Sequence, residues 1–180
     1  MNRIGSPRLG IALALVGLMA ASVAQALAQA FEPIVDIEFG PRGYSDGTLI
    51  IWGAGARMAT MGWTGGRVDD FIDINERKPE LRDGIQGRDA RFSIGVSPPD
   101  SLYRLTIFLG DAARQPGAIS IFVDTTLVAD GVAARKGARR ELQFLVQPTG
   151  DRVSFRLVAN SCESFAIAGA RLEGPAGARR

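Results

Sequence analysis

From Phe31 onward, apolar and polar residues alternate in short runs broken by Gly, Pro and Asp. The clearest two runs lie between Ala90 and Asp111. Ala90, Phe92, Ile94 and Val96 share one face of the first run, with Arg91, Ser93 and Gly95 on the other. After a turn on Pro98, Pro99 and Asp100, the second run sets Tyr103, Leu105, Ile107 and Leu109 on its apolar face, with Arg104 and Thr106 pointing away. Period-two alternation between turn residues is the pattern of half-buried strands. The same reading puts Val35, Ile37 and Phe39 inward in a first strand, followed by a short apolar run from Thr48 to Trp52. Further on, Ile119, Ile121 and Val123, then Leu142, Phe144 and Val146, then Val153, Phe155 and Leu157 mark inward faces, and Phe165 to Leu172 is a last strand. Asp130-Gly131 and Lys136-Gly137 punctuate a connection, and Pro148 to Asp151 is a hairpin turn. No stretch beyond residue 30 holds a 3.6-residue period. About eight short strands predict an all-β chain, an antiparallel β-sandwich of the jelly-roll type. Strands near both ends of such a domain pair and protect each other's edges.

Gly53 to Arg88 breaks this pattern. It is rich in Gly, Asp and Arg, carries Met58, Met61, Trp63 and Phe71, and predicts at most one short strand or turn, near Asp70 to Ile74. Long irregular segments in small domains often carry function.

Residues 1–30 read as a leader rather than as part of the fold. Arg3 and Arg8 precede an apolar stretch from Leu9 to Ala24, and Ala28-Gln29-Ala30 fits a cleavage site, with Ala24-Gln25-Ala26 as the alternative. That is the plan of a cleaved signal peptide. It predicts a sandwich domain over residues 31–174, a disordered tail over 175–180, and a periplasmic or secreted location. No later stretch is apolar enough to span a bilayer. The leader holds two arginines and no acids, so the 21 basic residues of the chain fall to 19, level with its 19 acids. A neutral domain argues against a nucleic-acid partner.

Histidine is absent, which removes Ser-His, Cys-His and His-metal chemistry. The single cysteine, Cys162, has no intramolecular disulfide partner and reads as a small core residue, with an intermolecular bridge or reactive thiol as alternatives. Neither a G-x-S-x-G elbow nor a P-loop occurs. The expectation is no enzyme, no catalytic residues and no cofactor. Paired acids among Asp69, Asp70 and Asp73 leave a polysaccharide-processing hydrolase as a remote alternative.

Several runs resemble a known family. Ile37-Glu38-Phe39-Gly40-Pro41 resembles the FDFG opening of galactose-binding-like jelly-roll modules, which include malectin-like domains and the carbohydrate-binding domains of secreted pectin esterases and rhamnogalacturonan lyases. Phe92 to Val96 and Tyr103 to Asp111 are similar to the F-x-V-x-V-P and Y-x-V-x-L-x-L-G-D strands of that family. Ile119 to Val128, Arg152 to Val158 and Ala166 to Leu172 are similar to its later strands, although Ile167-Ala168 stands where the family has Ile-Asn. The resemblance implies a carbohydrate-binding role, a largely structural Asp111, and a structural calcium in some members.

Sugar sites combine a flat aromatic ring with carboxylate, amide or guanidinium groups. Trp63, flanked by Gly62 and by Gly65-Gly66, with Arg67 and Asp70 just beyond and Tyr44 in another loop, supplies that set. These four are the candidate ligand contacts, for a cell-envelope or extracellular polysaccharide. Asp69, Asp70, Asp73 and Glu76 could hold calcium, but the spacing is not that of an EF-hand, and Arg67, Arg77 and Lys78 can neutralise the acids, so no metal is expected. The alternative function is a structural subunit bound to an envelope protein partner, with no glycan affinity.

Overall fold

Alternating side chains make each run a strand with one apolar face, and two such faces bury each other. The computed structural model of the chain describes residues 31–39, 48–52, 61–73, 83–110 and 115–176, with backbone alone at 48–52, 67–73 and 83. The described residues form ten strands and no helix: β1 (Phe31–Phe39), β2 (Thr48–Trp52), β3 (Met61–Asp73), β4 (Asp83–Gly95), β5 (Tyr103–Leu109), β6 (Ile119–Val123), β7 (Thr126–Val132), β8 (Arg140–Val146), β9 (Arg152–Ala159) and β10 (Phe165–Pro175). Every pairing is antiparallel. One layer runs β2-β1-β10-β5-β8 and the other β3-β4-β9-β6-β7. The layers are joined where the start of β10, Phe165–Ile167, pairs with Ile85–Gly87 of β4. This is an antiparallel jelly-roll sandwich.

The expected inward residues fill its core. Val35, Ile37 and Phe39 meet Phe92, Ile94, Leu105, Ile107, Ile121, Phe155 and Leu157, all essentially inaccessible to solvent. Tyr103 is buried too, and its hydroxyl donates to the carbonyl of Pro98 at 2.6 Å, which ties the β4–β5 turn to the core. Burial pushes the Tyr103 phenol above its ordinary pKa. The Ser97–Pro98 bond in this turn is cis.

Five readings need correction. The Gly53–Arg88 segment is not mainly irregular: it contains β3 and the first part of β4. The Asp130-Gly131 stretch belongs to β7 rather than to a connection, and the turn before it is the pair Asp124–Thr125, with Asp124 at φ 52°. Cys162 is exposed rather than buried, because it sits in the bend between β9 and β10. Thr106 is only 2% exposed, although it lies on the outer row of β5. Its register neighbours there are Arg171 and Gln143, long side chains whose stems shield small ones. Pro175 completes β10 and does not begin a tail. Tyr44, Asp111 and the leader over residues 1–30 lie outside the described residues.

Removing a large buried side chain from this core costs transfer free energy plus a cavity. Phe155→Ala or Leu105→Ala is therefore expected to lower unfolding free energy by about 2–5 kcal/mol. Chemical denaturation checks this, and a loss below about 1 kcal/mol would contradict the packing described.

Candidate functional site

The predicted contact residues map mostly to one strand. Trp63, Arg67 and Asp70 all lie on β3, opposite Phe92, Asp89 and Gln86 of β4. β3 shifts register between Trp63 and Gly65, between Arg67 and Val68, and between Val68 and Asp70. Gly66, at φ +77°, pairs with Ala90 between these shifts, and any Cβ there would collide with the Asp89 carbonyl and the Ala90 Cα. That close approach explains Gly66, whereas a Cβ at Gly65 would meet only the Arg91 Cβ at an ordinary 3.8 Å.

Trp63 was expected in a loop with its ring free for a ligand. It is instead a strand residue packed on the core. Its ring centroid lies 5.2 Å from that of Phe39 and 5.0 Å, edge-on, from that of Phe92. Phe92 in turn meets Phe39 at 5.4 Å and Phe155 at 5.7 Å. The indole Nε1 is buried and has no hydrogen-bond partner among the described residues.

The chemistry-bearing groups lie on the opposite, outer face of the same sheet. Since Ala90, Phe92 and Ile94 point inward, Asp89, Arg91 and Ser93 point outward. Three cross-strand rows result. The first passes from Asp89 through Val158 to Ser120, with the backbone of Arg67 in register with Asp89. A second links Gly65, Arg91, Arg156, Phe122 and Leu127. The third joins Gly62, Ser93 and Ser154.

Arg156 grips Asp89 with both arms of its guanidinium, Nε to Oδ1 at 2.7 Å and Nη2 to Oδ2 at 2.5 Å. This fork holds the Asp89 carboxyl below its ordinary pKa and raises that of Arg156; the Arg91 charge pushes Asp89 the same way. Arg156 also lies 5.9 Å from the centroid of the half-buried Phe122 ring. Alongside, a ladder of hydroxyls crosses three strands: Thr64 Oγ1 to Ser93 Oγ at 3.2 Å, and Ser93 Oγ to Ser154 Oγ at 2.7 Å. At the far end Asp130 Oδ1 accepts from the Ser120 hydroxyl at 2.5 Å, the Gly131 amide at 2.9 Å and the Asn160 Nδ2 at 3.1 Å. These donors, Ser120 first, lower the Asp130 pKa.

Sequence reasoning found Arg67 and Asp70 but missed Asp89, Arg91 and Arg156. A signal existed, because Arg91 and Arg156 occupy the polar phase of two alternating runs and Asp89 directly precedes the first of them. The acidic cluster expected near Asp69 to Glu76 falls where side chains are undescribed. Among the described residues no group of three His, Cys, Asp or Glu is placed to hold a metal.

No family model matches the chain, and no curated protein sequence does. Among solved structures it is similar to a family 35 carbohydrate-binding module from Cellvibrio japonicus, with 17% identity, 64% of this chain and 90% of that one covered, and a TM-score of 0.48. A family 35 module from Paenibacillus barcinonensis shows 10% identity over 62% of this chain and 91% of that one, at a TM-score of 0.40. A family 51 module from Clostridium perfringens, solved with methyl-galactose, gives 10%, 62%, 92% and 0.37 for the same measures. The jelly-roll assignment rests on the strand pairing above, not on likenesses of this size.

Two expectations follow. Trp63→Ala should destabilise the domain by about 2–4 kcal/mol, since it opens a partly buried aromatic cluster; an unchanged denaturation midpoint would show that the ring is dispensable to the core. Asp89 is depressed, so the stability it contributes is present above the ordinary aspartate range and lost as pH falls through its folded value. The pair is half-exposed, which limits its worth to about 0.5–1 kcal/mol. Asp89→Asn should therefore be less stable than the parent at about pH 7, and the two should converge as pH falls below the depressed folded pKa of Asp89. A gap that persists unchanged in acid would rule the ion pair out as its source.

Proposed function

We propose that this chain is an exported, non-catalytic carbohydrate-binding module that recognises a cell-envelope or extracellular polysaccharide on the β3–β4 side of the second sheet. The observation that supports it most is the three adjacent rows of guanidinium, carboxylate and hydroxyl groups on that outer face. A sugar presents alternating donors and acceptors, which such planar and hydroxyl groups pair with in fixed directions. Arg67 and Asp70 stay in the contact set, and Arg91, Asp89 and Arg156 join it. Trp63 supports the strand from within, and Tyr44, outside the described residues, stays a proposed contact.

A binding role suits these groups better than catalysis. Asp89 is held ionised by Arg156, so it is a poor general acid, and the sequence offers no histidine to serve instead. Sugar recognition of this kind is weak, on the order of micromolar to millimolar, or about 4–8 kcal/mol. A second reading, an interaction subunit of an envelope assembly, draws on the exposed Leu127 and Leu145, which are 50% and 52% accessible.

Affinity electrophoresis against a panel of polysaccharides tests the binding reading. Arg91→Ala and Arg67→Ala should each weaken retention by about tenfold, the worth of a charge-assisted hydrogen bond, while stability changes by less than about 0.5 kcal/mol. Retention unchanged in both variants would place the site elsewhere. Release of reducing ends or unsaturated products would overturn the non-catalytic reading. Absence of retention on every polysaccharide, with a protein partner co-purifying, would favour the interaction subunit.

A further inference from the structure

Four strands form the lateral edges of the two layers: β2 and β8 in the first, β3 and β7 in the second. An edge strand offers a row of unpaired N–H and C=O groups, which proteins blunt with bulges, charge, proline or brevity. β3 and β7 carry register shifts against their neighbours, and β2 has five residues. β8 differs. All seven residues from Arg140 to Val146 pair with β5 without a shift. The run Leu142-Gln143-Phe144-Leu145-Val146 has no charge, proline or glycine. Among the described residues its other edge pairs with nothing. Leu142 and Phe144 pack on the core yet remain only partly buried, and Leu145 is 52% exposed.

We propose that β8 is a self-association edge, pairing antiparallel with β8 of a second copy about a two-fold axis through Gln143. A two-fold axis normal to a sheet keeps inward residues inward, so it must pass through a residue rather than between two. Gln143 is the midpoint of β8, so this register pairs the whole strand. It sets Leu142 opposite Phe144 of the second copy, twice, and extends the half-covered inner face of each. On the outer face Gln143 meets Gln143, and Glu141 meets Leu145, so no like charges are opposed. Antiparallel pairing also holds Arg140 of the two copies about 20 Å apart at roughly 3.4 Å per residue, where parallel pairing would stack them. The two five-stranded layers become one continuous sheet, as in strand-addition complexes. The inference stands independently of glycan binding, although a dimer would present two copies of the proposed face on one particle.

Sedimentation velocity of the full chain up to about 100 μM is expected to show a concentration-dependent species at twice the 19.1 kDa chain mass. Gln143→Lys, which is exposed in a monomer but opposes itself across the axis, should raise the dimer dissociation constant about tenfold or more without moving the melting temperature. Gln143→Cys in a Cys162→Ser background should form a disulfide-linked dimer on mild oxidation, while Gln147→Cys, far from the axis, should not. A monomer throughout the range would overturn the proposal. So would a dimer that Gln143→Lys leaves intact and Gln143→Cys fails to cross-link.

Discussion

The packing of Phe92 is the contact on which the rest of the structure depends. Its ring lies against Phe39 of the first layer and against Trp63 and Phe155 on either side within its own. Those contacts close the sandwich where β4, the most heavily paired strand, meets β3, β9 and β10. Aromatic pairs at these separations add about 0.5–1.5 kcal/mol each beyond the area they bury. A strand fixed by its inward side chains has its outward ones fixed as well. Locking Ala90, Phe92 and Ile94 into the core therefore places Asp89 and Arg91 in a set order on the outer face, with Ser93 beside them buried under its hydroxyl neighbours.

The surface order has consequences of its own. Arg91 and Arg156 stand directly opposite each other across β4 and β9, an arrangement that like charges resist. Asp89, one step along the same face, relieves it by engaging both arms of Arg156. One guanidinium is thus spent internally while Arg91 stays exposed. The first layer disposes of its charges differently. Arg171 donates to Asp36 at 2.5 Å and Arg104 to Glu173 at 2.6 Å, while Arg139 lies 3.8 Å over the Phe108 ring. Much of that outer face is closed by its own pairs.

Much of this could be read from the residues. Wherever a strand is regular, as in β5 and β9, alternation gave the inward set residue by residue, because side chains on a pleated strand have period two. It failed on β3, where three register shifts break the period and Gly62, Gly65 and Gly66 contribute no side chain to count. A bulged, glycine-rich strand looks like a loop in one dimension. The error carried over to Trp63, since an aromatic residue among glycines suggests exposure, whereas β3 lays it on Phe39 and Phe92. β7 was missed for a related reason: an edge strand that contains Asp130-Gly131 has mostly exposed side chains and so lacks a clear apolar phase. Cys162 misled through composition, since a lone cysteine is usually buried, although Asn160, Ser161 and Ser164 around it are turn residues. Arg91, Asp89 and Arg156 were visible but uninterpreted, because only register shows that residues some 65 positions apart in sequence share a row.

The central claim is that the polar outer face of the second sheet, carried by β3, β4 and β9, is where ligand binds. The most direct measurement is mapping of backbone amide shifts in an NMR titration with soluble oligosaccharide fragments of a retained polysaccharide. The account predicts that the amides of Arg67, Asp89, Arg91 and Arg156 move together and saturably, while those of Arg104, Phe108 and Arg171 on the first layer stay still. Movement confined to the first layer, or to neither, would contradict it.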